Sequence, residues 1–262
     1  MTGTELFKHA YGMIERNFGV AMRISLVLFV LSLAFQAAIT FWTVFNPQLS
    51  YRLGTVPFLV ISYLPGLVTM VLGAWVAVAW HRYVLLEEDP GGWIPNFNGR
   101  EILGYILWLL LMMVIYFAIL LPFIAVAALA ATGLEGGGTA GAGLIIVFVI
   151  SGFATIIAAV IVLTRLSTCL VSRAVSQRLS LAQAWNATRG SSWPIVVYLL
   201  LMFAVMLVVG IIVSLLMAVV GVAAFVIVVP AYLLLTWFLM IFQVSIMTTL
   251  YGYYIEGREL VA

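Results

Sequence analysis

Residues 194–250 read PIVVYLLLMFAVMLVVGIIVSLLMAVVGVAAFVIVVPAYLLLTWFLMIFQVSIMTTL, from Pro194 to Leu250, without one Asp, Glu, Lys, Arg or His. A bilayer core about 30 Å thick is crossed by about 20 apolar residues in a helix. This stretch is long enough for two crossings, and Gly221 marks the turn between them. It therefore divides into spans at 194–219 and 222–250. The runs do not alternate polar and apolar residues, as the strands of a membrane barrel would. A helix buried inside a soluble protein rarely runs this far without a charge.

Four more charge-free runs of that length lie at 24–44, 57–80, 103–131 and 143–164. None of the chain's charged side chains falls in any of the six. At 8% charged residues overall, random placement would put about a dozen there, so lipid is the solvent the pattern fits. The whole composition agrees: 66% of the 262 residues are apolar or aromatic, and mean hydropathy is +1.25. So few charges cannot cover a soluble globule of this size. A soluble enzyme, a disordered tail and a nucleic-acid binder are excluded on that ground. The longest polar stretch, 165–193, is too short for a separate soluble domain. The expected architecture is all-α: one membrane domain over 1–262, a polytopic bundle of six transmembrane helices with interfacial helices at its rim.

Six spans place both chain ends, 81–102 and 165–193 on one side. That side holds every Lys and Arg except Arg52, ten of eleven. The bias of basic residues toward the cytoplasm makes that side cytoplasmic and the protein multi-pass with both ends on the cytoplasmic side. The first apolar run is longer than a signal-peptide core and lacks a small-residue cleavage site, so it reads as a retained helix. Cys169, the one cysteine, falls on the cytoplasmic side.

Two amphipathic segments flank spans. In 4–18, Phe7, Tyr11, Ile14 and Phe18 share a helical face, and Thr2 and Glu5 have capping-box spacing. This segment is either a helix lying in the interface or a short helix packed on the bundle. In 180–190, Ser180 and Gln183 form a second capping box, Leu181 and Trp185 share a face, and Gly190 ends the helix. Pro194 then suits the first turn of the fifth span. Leu6–Ile24 and Leu181–Leu199 align at a constant offset, and Arg100–Leu103 reads as a shorter third version. The chain reads as three helical hairpins, 1+2, 3+4 and 5+6, either divergent repeats or products of convergence on one insertion chemistry. The outer connections are a turn at 45–56 around Asn46-Pro47 and a glycine-rich flexible loop at 132–142. Span four is expected to continue into 165–178. Pro65, Pro122 and Pro230 interrupt spans two, three and six, either as gates or as ordinary adjustments of long helices.

The search for chemistry returns mainly absences. Ion-coupled carriers and intramembrane hydrolases need ionisable groups at depth, and the spans contain none. No metal-ligand motif such as H-E-x-x-H is present, the glycine-rich loop lacks a Lys-Ser/Thr ending, and no cofactor is expected. Gln36, Tyr63 and Gln243 are candidate intramembrane polar contacts, either hydrogen-bonding across the bundle or touching a substrate. Ser151, Thr155 and Ala159 form a strip of small residues suited to close helix approach. Trp80, His81, Arg82 and Tyr83 close span two just before Glu87, Glu88 and Asp89. They read as an interface anchor, with a metal site as the less favoured alternative. Trp93, in the turn Pro90–Pro95, would dip into the interface. Phe7, Tyr11, Phe18, Trp80, His81, Arg82, Trp93, Trp185 and Arg189 are the candidate contacts to lipids or to a membrane-protein partner.

The lead-in Leu6–Phe18, the exit Trp80-His81-Arg82-Tyr83, the stretch Leu179–Trp185 and the tail Leu250-Tyr251-Gly252-Tyr253-Tyr254 give a layout that resembles bacterial six-helix membrane proteins. It is similar to YciC-like proteins and to the membrane domain fused to some glycerophosphodiester phosphodiesterases. The likeness spans nearly the whole chain and is one of topology. The resemblance implies a six-helix fold in a bacterial inner membrane and little about function, since that membrane domain has no settled activity; the phosphodiesterase barrel itself is absent here. From charge-free spans beside an interfacial rim, the function expected is a non-catalytic scaffold, accessory subunit or envelope factor that docks partners or lipids on its cytoplasmic side. The alternative is a small-molecule or lipid transporter or scramblase.

Overall fold

A computed structural model describes residues 1–48, 52–135 and 139–260. Those residues are almost wholly helical. The order is α1 Gly3–Arg16, α2 Phe18–Phe45, α3 Thr55–Leu86, α4 Gly99–Glu135, α5 Thr139–Leu166, α6 Thr168–Ala174, α7 Leu181–Ala187, α8 Ser192–Val220, a 3-10 turn Gly221–Ala224, and α9 Phe225–Tyr254. Six helices are long and apolar enough to cross a membrane: α2, α3, α4, α5 with its continuation α6, α8 and α9. The fold is an all-α six-helix bundle, as the charge-free runs predict.

The helices overrun the predicted spans. Span two, expected to end at Trp80, continues to Leu86, where Glu87 adopts the left-handed conformation (φ 56) that stops it. α2 starts at Phe18 instead of 24. α4 extends over 37 residues, about 55 Å at 1.5 Å per residue and well beyond the hydrocarbon. The reason is local: once the helical ladder exists, continuing it satisfies the backbone more simply than leaving it, wherever other protein covers the exit. The loop expected at 132–142 is shorter than predicted, since α4 reaches Glu135 and α5 starts at Thr139; positions 136–138 lie outside the described residues. So do 49–51 of the expected 45–56 turn. Span four does continue, but only to Ala174 and not to 178, and a break at Ser167 separates α5 from α6. The helices also run through Pro65, Pro122 and Pro230.

The bundle is dense at one end and open at the other. Ala74 and Val76 through His81 are buried in succession on α3, and Val244–Ile246 and Thr248–Gly252 on α9. Burial all round a helix means protein on every side. These two segments form a central pair, ringed by α1, α2, α4 and α6. In contrast Ile145–Ile150 on α5 is exposed at every position, as suits a helix facing lipid. The dense end holds both the first and the last described residues: the Met1 amino nitrogen lies 3.2 Å from Tyr253 Oη.

Pairing departs from three equal hairpins. α2 packs on α3 and α4 on α5 as expected. On the latter interface Gly152 lies close to the Phe123 ring, and Phe123 stacks on Phe148 with centroids 5.1 Å apart. The backbones of α8 and α9, however, stay apart beyond their 3-10 link, and α1 packs against both. Arg100–Leu103 is simply the first turn of α4, so the third copy of the lead-in is absent. A short helix before a span is a local feature, whereas its docking place is set by the space the other helices leave.

Candidate functional site

The dense end also carries the basic residues, and its rim is built from four elements. The first is α1. Thr2 Oγ1 accepts from the Glu5 N–H at 3.2 Å and the Glu5 carboxylate accepts from the Thr2 N–H at 2.7 Å, the reciprocal box the spacing predicts. Gly3 sits so close to α8 that a Cβ there would stand 2.5 Å from Pro194 O. At the other end Tyr83 Oη donates to Asn17 Oδ1 at 2.8 Å. α1 therefore lies across the bundle, from the first turn of α8 to the last turns of α3. Its buried face is Gly3, Leu6, Ala10, Met13 and Ile14. That settles the two readings in favour of a helix packed on the bundle. It also shifts the predicted face: of Phe7, Tyr11, Ile14 and Phe18 only Ile14 is buried. The other three edge the contact, against Phe242, Phe238 and Trp237 of α9 respectively.

The second element is the end of α3, and here the expected interface anchor is overturned. Trp80 and His81 are 0% exposed and pack the core instead of meeting lipid or a partner. His81 Nδ1 lies 2.9 Å from Thr248 Oγ1 on α9. Arg82 pairs with Glu88 and donates through Nη1 to Ala174 O at 2.9 Å, tying α3 to α6. His81 thus faces inward while Glu88 is held on Arg82, so the sequence cluster of His and acids splits in space. Among the described residues no group of three His, Cys, Asp or Glu side chains is placed to hold a metal. The error in sequence reading is one of length: six further helical residues carry this segment under cover of its neighbours.

The third element is the connection 87–98. Asn96 Nδ2 donates to Asp89 O at 3.1 Å, and Gly91 bridges to Pro95. The connection folds back along α3, where Trp75 Nε1 donates to Asn96 O and Phe97 meets the Trp75 ring edge-on. Trp93 stands out at its tip, 57% exposed.

The fourth is α6 with α7. Ser180 and Gln183 form the second predicted capping box. Sequence reading missed the residue that holds α7 down. Arg165, at the end of α5, lays its guanidinium over the Trp185 ring at 3.5 Å and donates to Trp185 O at 2.5 Å and Thr188 Oγ1 at 3.2 Å. Its charge bars it from lipid, and protein buries it instead. Trp185 keeps its other face to the exterior, and Arg189 is exposed beside it.

The intramembrane candidates separate. Gln243 accepts from Tyr198 Oη at 2.8 Å, which joins α9 to α8 across the bundle as predicted. Gln36 and Tyr63 are exposed on α2 and α3, and Tyr63 is 69% exposed. They make no hydrogen bond among the described residues, so they do not join helices. The buried tie that sequence missed is Ser25, whose Oγ accepts from Trp237 Nε1 at 2.7 Å. Most other span hydroxyls donate to a carbonyl three or four residues back, for example Ser62 to Phe58 O and Ser245 to Ile241 O, the usual way a hydroxyl is satisfied in lipid.

The exposed rim thus consists of Tyr11, Phe18, Trp93, Trp185 and Arg189, with Phe7 half-buried among them, and the welds beneath it are Arg82, Arg165 and His81. No protein family, curated protein or solved structure matches this chain.

Proposed function

We propose that this is a non-catalytic inner-membrane protein, a scaffold or accessory subunit that docks partners or lipids through the rim of its dense end. That end faces the cytoplasm on the basic-residue bias, with Arg52 alone at the far end. One observation carries the reading. The structure concentrates its cross-bundle polar ties and its three peripheral helical elements at a single end, while the opposite halves of the spans have little protein around them. A rim welded to the core presents Tyr11, Phe18, Trp93 and Trp185 at fixed positions, and aromatic side chains are favoured at both membrane and protein interfaces. Purification from native membranes in mild detergent tests the proposal. A stoichiometric partner should be recovered, and Trp93→Ala with Trp185→Ala should lose it. Elution of the chain alone at native abundance would refute the scaffold role.

A second reading, a lipid or small-molecule transporter, rests on the parting of α8 from α9 with the Tyr198–Gln243 bond between them. Reconstituted liposomes decide it: lipid scrambling or solute flux that Gln243→Leu abolishes would favour transport.

A further inference from the structure

Arg100, Arg173 and Arg178 converge on one cavity of about 240 Å³ between the start of α4 and the end of α6. Glu101 lines it too, but its Oε1 already accepts from Ser176 Oγ at 3.0 Å. None of the three guanidinium groups takes part in an ion pair among the described residues. Arg173 Nε is buried with no hydrogen-bond partner there. A buried guanidinium N–H without a partner is costly, and the planar fork of the group matches phosphate oxygens in pairs. The cavity therefore has the chemistry of a phosphate site.

What adjoins it identifies the bearer of that phosphate. Arg173 and Arg178 also line a shallow groove with Trp108, Leu179 and Leu181, whose surface is mainly apolar. The Arg173 guanidinium stands 5.4 Å from the centre of the Trp108 ring. Arg100 and Trp108 lie on one helix, about 12 Å apart along its axis. Charge at the rim thus leads into an apolar groove about two turns deeper, the profile of a headgroup and the start of its acyl chain. A free phosphate would use the first half only.

We propose that this is a binding site for one anionic phospholipid, with its phosphate on Arg100, Arg173 and Arg178 and its acyl chain along Trp108, Leu179 and Leu181. The site deepens the docking role proposed above and shares its membrane reading, but it needs no protein partner. The net positive cavity favours an anionic headgroup over one carrying a choline.

Native mass spectrometry of the full chain, titrated with phosphatidylglycerol, phosphatidylcholine or inorganic phosphate, tests it. One phosphatidylglycerol per chain should be retained about tenfold better than phosphatidylcholine. Arg100→Gln with Arg178→Gln, both at exposed positions, should weaken retention about tenfold, and Trp108→Ala with Leu181→Ser should weaken it as well. Lys8→Gln, at an exposed basic position of the same end outside the cavity, should change nothing. Equal loss in Lys8→Gln would show diffuse attraction to the surface and overturn the site. Equal retention of both lipids would overturn it too. Displacement of the lipid by millimolar inorganic phosphate, with the groove substitutions silent, would overturn the lipid assignment. Retained lipid in a preparation with no protein partner would sink the scaffold role and leave this site standing.

Discussion

Arg165 shows most directly how one residue shapes the rim. Its three contacts to Trp185 and Thr188 fasten α7 to the end of α5. Arg165→Ala should lower stability by about 2 kcal/mol, since a buried charge-assisted hydrogen bond and a cation–π contact both go. Lys cannot reproduce the planar stack, so Arg165→Lys should recover only part of that loss; thermal unfolding in detergent measures both. Gly3 acts at the other side of the rim. Gly3→Ala drives a methyl group into Pro194 O and Val197, so hydrogen exchange over residues 3–16 should rise, while Thr4→Ala at an exposed position should leave it unchanged. Sequence reading found the cap of α1 but not this contact, because a cap is encoded within four residues and a close approach depends on a helix nearly two hundred residues away.

At the scale of elements, capping and cross-bundle ties decide where short helices sit. The Thr2 N–H is the main reason the Glu5 carboxyl is held below its ordinary value of 4.5, with the Thr2 hydroxyl assisting. A depressed carboxylate contributes to stability in full above the unfolded value and loses that contribution as pH falls through the folded one. Amide protection in the first turn of α1 should accordingly drop on acidification below pH 4.5, and Glu5→Gln, which can still complete the box, should remove that pH dependence. Between spans, the Ser25–Trp237 bond joins α2 to α9 in the core. Ser25→Ala leaves the indole N–H without a partner and should cost about 1–3 kcal/mol. A double-mutant cycle with Trp237→Phe should show a coupling that disappears once both partners are gone. The serine lay within the first predicted span, yet nothing local distinguishes it from Ser32 or Ser62, which are satisfied by their own helices. Only the position of Trp237 does.

For the whole molecule, the arrangement of ends is the claim most open to direct measurement. Cys169 is buried, so the native chain should be inert to a membrane-impermeant maleimide and can serve as its own background. Cysteines introduced at Thr4 and at Glu259 should label from one side of the membrane and a cysteine at Gln48 from the other; with the proposed orientation the first two react only after the cytoplasmic side is opened. A chain in which Thr4 and Gln48 label from the same side would contradict the first crossing, and one in which Thr4 and Glu259 label from opposite sides would contradict an even number of crossings. The open packing of the outer halves has a consequence here too. Apolar substitutions at Ile146 or Ile150 should leave detergent stability unchanged, whereas Ala77→Leu, between closely packed helices, should lower it by about 1–3 kcal/mol.

What the residues alone determined is the solvent, the number of crossings, the common side of the two ends and both capping boxes. Each of these follows from hydropathy over about 20 residues or from contacts within one turn. The tertiary structure decided which side chains face protein and which face lipid. In water an apolar residue is expected inside, but in a bilayer both the core and the surroundings are apolar, so hydropathy cannot separate Trp80 from Tyr63. Polar groups carry that information instead, and they do so in pairs: His81 with Thr248, Tyr198 with Gln243, Arg165 with Trp185. A pair becomes legible only once the fold has brought its members together.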